Sequence, residues 1–118
     1  GIESRGFILG AILADELNAG FVAVRKEGKL PFTTIRETYG LEYGVDTIEM
    51  HIDALDTNDI VLIHDDVIAT GGTAAAAHRL ATFANATIAG YCFLIDLTFL
   101  DGRSKLNQRL PCHSLIQY

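Results

Sequence analysis

Within the stretch IVLIHDDVIATGGT, Ile60 to Thr73, two adjacent carboxylates, Asp65 and Asp66, stand just ahead of a loop of small residues, Ala69-Thr70-Gly71-Gly72-Thr73. The two glycines let the backbone approach a ligand closely, and the two threonine hydroxyls add hydrogen-bonding groups. If a helix starts here, its first N–H groups have no intrahelical partner, and with the helix dipole they favour an anion by roughly 0.3–1 kcal/mol per charge, up to ~2 when partly buried. A monophosphate suits such a loop. A nucleoside-triphosphate P-loop is not indicated, because no Gly-Lys-Thr/Ser follows. The aspartates would repel the same phosphate, so they are expected to face something neutral or cationic. Ionised carboxylates only accept hydrogen bonds and are good ligands for hard cations, which points to ribose hydroxyls or Mg²⁺. Consecutive strand side chains alternate, so one aspartate can be structural, and Asp66, nearer the loop, is the expected closer contact.

These residues need a strand before them and a helix after them. The unbroken apolar run 60–64 predicts a central parallel strand covered on both faces, and TAAAAHRLATFA (73–84) predicts a helix whose alanines allow close approach to a sheet. In GFILGAILADELN (6–18), apolar residues 8, 9, 12, 13 and 17 form a helical stripe. FVAVR (21–25) has the pattern of a short buried strand, and residues 26–47 mix Gly, Pro, Thr and charge as in a long loop or an extended, partly exposed hairpin. Residues 47–52 alternate, predicting a strand with one face in water. Strands are also predicted over 87–95 and in the tail CHSLIQY, after a turn around Asp101-Gly102-Arg103. Strands alternating with helical patterns indicate an α/β domain with a mostly parallel sheet, in which ligands bind outside the carboxyl ends of the strands.

The 118 residues, 49% of them hydrophobic, suffice for one core and predict one domain. A net charge of −6 argues against a general nucleic-acid or anionic-membrane surface, which would need clustered Lys and Arg. No apolar run reaches the roughly 18 residues of a membrane span. Cys92 and Cys112 resemble neither a disulfide framework nor a metal pair, so a reducing cytoplasm is the expected setting. His51, His64, His78 and His113 show no metal-ligand spacing, and alternation turns His64 away from the ligand. The chain opens at GIESRGF without an initiator Met and is expected to be a fragment.

The stretch VLIHDDVIATGGT resembles the phosphoribosyl-pyrophosphate signature of the type I phosphoribosyltransferases. GIESRGFILG (1–10), VRKEGKLP (24–31), LEYGVDTIEMHIDAL (41–55) and SLIQY (114–118) follow in the order and spacing of the adenine-using branch of that family. The resemblance spans essentially all 118 residues and implies the type I phosphoribosyltransferase fold, with residues 1–118 as its core domain. The family's N-terminal strand and its base-contacting hood have no counterpart here.

The resemblance implies a glycosyltransferase of purine salvage that moves a phosphoribosyl group from 5-phosphoribosyl 1-pyrophosphate, bound with Mg²⁺, to adenine N9, giving AMP and pyrophosphate. It assigns Ala69, Thr70, Gly71, Gly72 and Thr73 to the 5′-phosphate, and Asp65 and Asp66 to the ribose hydroxyls, where their charge would also stabilise the transition state. Ser4, Arg5 and Gly6, with Arg25, Lys26 and Lys29, would take the pyrophosphate. Residues 33–43 would close over the site, with Glu42 handling the purine's proton and Tyr43 packing nearby. No direct protein ligand to the metal is implied, and a homodimer is. Phe32 departs from the small or polar residue usual after the Leu-Pro pair. Rival readings are a related transferase for xanthine, hypoxanthine or guanine, and a non-catalytic regulator that senses the activated sugar. The retained GLEYG and the acidic charge disfavour the regulator.

Overall fold

Two small sheets, two α-helices and two short 3-10 helices (Thr98–Leu100 and Gly102–Lys105) make up residues 1–118, all of which the computed structural model describes. The parallel sheet is built from β4 (Ile60–Ile68), β5 (Thr87–Asp96) and β6 (Cys112–Gln117), in the order β4-β5-β6. Helix α2 (Gly72–Phe83) makes the crossover from β4 to β5. A second sheet is antiparallel: β1 (Arg25–Lys26), β2 (Thr34–Gly40) and β3 (Val45–His51), in the order β1-β3-β2. The α/β class is therefore as expected, and the antiparallel sheet adds to it.

Several local expectations change. β4 runs on to Ile68, so Asp65 and Asp66 lie inside the strand, and it is an edge strand of its sheet where a central one was expected. Ile60 and Leu62 are accordingly exposed. The strand expected over 21–25 shrinks to a single parallel bridge, Val24 to Ile2, followed by the two residues of β1. Residues 34–51 form a fully paired hairpin, from Thr34 opposite His51 to Gly40 opposite Val45, with only residues 41–44 as its loop. Gly44 at φ 93° closes that turn, and the Leu41 N–H donates to its carbonyl at 2.9 Å. β3 does not keep one face in water, because Ile48, Glu49 and Met50 are all buried.

Helix α1 (Gly6–Glu16) corrects the reading of its apolar stripe. Ile8, Ile12 and Leu17 are exposed, and the buried positions are Gly6 and Gly10, one turn apart on one face. The reason is proximity to β4. A Cβ on Gly6 would sit 2.9 Å from Asp65 Oδ1, and one on Gly10 would sit 3.3 Å from the His64 ring. A side chain at either position would force Asp65, Phe21 or His64 to shift.

The two sheets are joined at the chain start. The Ile2 N–H donates to the His64 carbonyl at 3.2 Å, the Val24 N–H to that of Gly1 at 2.9 Å, and the Glu3 N–H to that of Val24 at 2.8 Å. Helix α2 supplies the second joint, packing on strands of both sheets through Ala74, Ala76, Ala77, Leu80 and Ala81. Ala76 is fully buried in that layer. Ala76→Leu is expected to lower unfolding free energy by about 1–3 kcal/mol through overpacking. Ala11→Leu, on the exposed side of α1, should change it by no more than about 0.5 kcal/mol, both read from urea titrations.

Candidate functional site

The carboxyl end of β4 receives four pieces of chain: the 3–6 loop, the 25–29 segment, the loop into α2 and the turn end of the β2–β3 hairpin, Tyr39 and Gly40. The loop into α2 takes its shape from Gly71, whose φ of 80° is left-handed and costs glycine nothing. Ala75 is the first helical N–H to bond, donating to the Gly71 carbonyl at 3.0 Å. The N–H groups of Gly72, Thr73 and Ala74 therefore have no intrahelical acceptor. Tyr39 of β2 walls this loop on one side, its ring 3.2 Å from where a Gly72 Cβ would be.

The two aspartates are differently employed. Asp65 lies beneath the first turn of α1, close to Gly6, and its Oδ1 accepts the Asp66 N–H at 2.8 Å. Burial pushes its carboxyl up to about 7, helped by the Asp66 carboxylate beside it and opposed by the Asp66 N–H and by Arg5. Asp66, with 20% of its side chain exposed, accepts Arg5 Nε at 2.6 Å. Arg5 is otherwise free, with 76% of its side chain exposed.

The other cations gather around a residue that the sequence reading missed. Glu3, only 7% exposed, accepts the Lys26 N–H at 2.7 Å and pairs with Arg25 Nε at 3.4 Å and with Lys29. Burial alone would raise its carboxyl, but Lys29, the Lys26 N–H and Arg25 bring it below the usual carboxylate range. Arg25 and Lys29 are thus brought together beside Ser4 and Arg5. Lys26, the next residue of β1, points the other way, to Asp46 and the Tyr39 hydroxyl.

Glu49 was also missed. It is 1% exposed and accepts the N–H groups of Leu30 at 3.0 Å and Gly28 at 3.2 Å, and the Thr34 hydroxyl at 3.2 Å. Together with Arg36 these donors overcome burial and keep its carboxyl low. The basic segment 25–30 is therefore held between two buried carboxylates, Glu3 and Glu49. The visible signal for Glu49 was its place between Ile48 and Met50 in a strand, and for Glu3 its place two residues before Arg5.

Glu42 and Tyr43 stand on the hairpin tip, beyond Gly40, whose carbonyl lies 3.6 Å from a Gly72 Cβ position. Tyr43 is 87% exposed and so makes little packing contact in this conformation. Phe32 is exposed with φ 63°, a left-handed backbone setting that favours glycine. His64 faces away from the opening. Its Nδ1 donates to the Cys92 carbonyl at 2.9 Å, and it lines a mostly apolar cavity of about 390 Å³ between α1, residues 19–24 and β4. That cavity lies apart from the charged opening.

Residues 1–109 match the phosphoribosyl transferase domain, and the chain belongs to that family. Among its relatives, adenine phosphoribosyltransferase from Anaeromyxobacter dehalogenans is 54% identical over 118 residues, covering 100% of this chain and 68% of that protein. The crystal structure of adenine phosphoribosyltransferase from Rhodothermus marinus superposes with a TM-score of 0.96 at 61% identity, covering 100% of this chain and 67% of that one. The Saccharomyces cerevisiae enzyme, complexed with D-2,5-dideoxy-2,5-imino-altritol 1,6-bisphosphate and adenine, gives 0.91 at 48% identity, covering 97% of this chain and 64% of that one. The chain thus spans about two thirds of the length of the adenine phosphoribosyltransferases it resembles.

The raised carboxyl of Asp65 has a measurable consequence. A carboxyl held above its unfolded value favours the protonated native state, so ionising it costs stability as pH rises from about 4 to about 7. Asp65→Asn removes that cost. The variant is expected to gain stability relative to the parent chain across this window and to keep the gain above it, as read from denaturant midpoints at successive pH values. A pH-independent difference would contradict the assignment.

Proposed function

We propose that this chain carries the catalytic core of a purine-salvage glycosyltransferase, moving the phosphoribosyl group of 5-phosphoribosyl 1-pyrophosphate to N9 of adenine. The observation that carries this reading is the layout of charge around β4: an anion-accepting loop at 69–73, two carboxylates at 65–66, and Arg5, Arg25 and Lys29 beyond them. A ligand with a phosphate at one end, sugar hydroxyls in the middle and a second, more highly charged anion at the other end matches that order. The yeast relative, which holds an imino-sugar bisphosphate together with adenine, supports it.

On this reading the backbone and hydroxyls of Ala69, Thr70, Gly71, Gly72 and Thr73 bind the 5′-phosphate. Asp65 and Asp66 accept the ribose hydroxyls. Arg5, Arg25 and Lys29, with backbone groups of Ser4 and Gly6, take the pyrophosphate, and Lys26 contributes if it leaves Asp46. As the bond from C1′ to pyrophosphate breaks and that from N9 to C1′ forms, positive charge grows on the sugar, and the two carboxylates lie nearest to it. Adenine gives up one proton, for which Glu42 is the proposed acceptor once the hairpin tip, with Tyr43, folds over the opening and excludes water. Asp65 and Asp66 are hard oxygen donors and so suit Mg²⁺ that arrives bound to the substrate. Bound there, the ion would neutralise the departing pyrophosphate. Exposed Ile8 and Ile12 on α1 are consistent with a homodimer, and two free cysteines with a reducing cytoplasm.

The test is AMP formation from adenine, phosphoribosyl pyrophosphate and Mg²⁺, with hypoxanthine, guanine and xanthine in parallel. Turnover is expected with adenine and to fall by about 10²-fold in Asp66→Asn. Preference for another base would overturn the adenine assignment.

A further inference from the structure

The loop proposed to take the 5′-phosphate rests on a second turn of the chain, far from it in sequence. Gly102 is buried directly behind the loop. A Cβ on Gly102 would overlap the Ala69 carbonyl oxygen and lie 2.9 Å from Gly71 N and 2.9 Å from Ile68 Cγ1. The contact is reciprocal, since a Cβ on Gly71 would overlap the Gly102 carbonyl oxygen. Gly102 lies outside the left-handed region, so its requirement is one of space alone, imposed by the loop.

The turn is itself rigidly anchored. Arg103 donates through Nε to Asp96 at 2.5 Å, through Nη1 to the Cys112 carbonyl at 2.9 Å and through Nη2 to the Ser114 hydroxyl at 2.7 Å. Asp96, at the end of β5, is buried, and Cys112 and Ser114 belong to β6. One guanidinium therefore ties the turn to the end of β5 and to the first half of β6, in a planar fork that lysine cannot reproduce. Next to it, the Leu97 N–H donates to the Ile68 carbonyl at 3.0 Å, closing the frame onto β4 just before the loop.

We propose that Gly102 and Arg103 are positioning residues for phosphomonoester binding: the Asp96–Arg103 pair holds the Gly102 turn as a backstop that sets the shape of residues 69–73. Binding of a sugar phosphate by that loop rests on the function proposed above, whereas the backstop itself can be read without any ligand. The experiment therefore uses two readouts on the folded chain and on Gly102→Ala and Arg103→Gln. Gly102→Ala adds one carbon aimed at the loop, and Arg103→Gln removes the fork while adding nothing to the loop.

Calorimetric affinity for ribose 5-phosphate is expected to fall by about tenfold or more in both variants, while that for inorganic pyrophosphate stays within about twofold. Amide hydrogen exchange at residues 70–74 without ligand should accelerate in both, with the β2–β3 hairpin unchanged. Folded variants with unaltered exchange at 70–74 would overturn the backstop. Accelerated exchange in a chain that binds no ribose 5-phosphate would support the backstop and remove the phosphate reading of the loop.

Discussion

A carboxylate buried among cations is the interaction on which this site depends. Arg25, Lys29 and the Lys26 amide all converge on Glu3, which is nearly inaccessible to water. Like charges do not assemble unaided, and two adjacent cations need a counter-charge in the free protein. A buried carboxylate with several charge-assisted hydrogen bonds does this at a geometry that surface pairs do not hold. Glu49 performs the same task on the far side of the basic segment, through the amides of Gly28 and Leu30. The cationic half of the opening is thus preorganised by two acids, Glu3 and Glu49.

The other half is preorganised by absence of side chains. Gly6 lets the first turn of α1 lie over Asp65, Gly71 turns the backbone into α2, and Gly102 fills the space behind that turn. Each glycine faces a backbone or carboxylate atom too near for a Cβ, so these are requirements of packing before they are requirements of flexibility. The burial that raises the Asp65 carboxyl to about 7 follows from the same close approach of α1 to β4. Tight packing and a poised carboxyl are one feature here.

Legibility in the sequence tracked how local the determining interactions are. β4, the glycine loop and α2 were readable because an apolar strand, two acids, a Gly-Gly pair and an alanine-rich helix are contiguous, and each signals its own conformation. Arg5, Arg25 and Lys29 were legible as a cation group only through their resemblance to a family pattern. Glu3 and Glu49 were not legible, because an acid in a charged segment ordinarily reads as solvated and only the tertiary donors reveal its burial. Strand alternation misplaced Glu49 for this reason. The stripe on α1 misled in the opposite direction: Ile8, Ile12 and Leu17 mark an apolar face, but proximity to β4 selects the glycine face for burial. Arg103 was noted only as part of a turn, since its partners on β5 and β6 are set by sheet register.

If the proposed function holds, the glycine loop and the Glu3-organised cations are two ends of one binding site. This arrangement is tested most directly by titrating the chain with phosphoribosyl pyrophosphate and Mg²⁺ alone, then after saturation with ribose 5-phosphate, and separately after saturation with pyrophosphate. One molecule is expected to bind per chain, with competition by each half-ligand and simultaneous binding of the two halves to the free protein. Phosphoribosyl pyrophosphate that binds undisturbed by either half-ligand would contradict it.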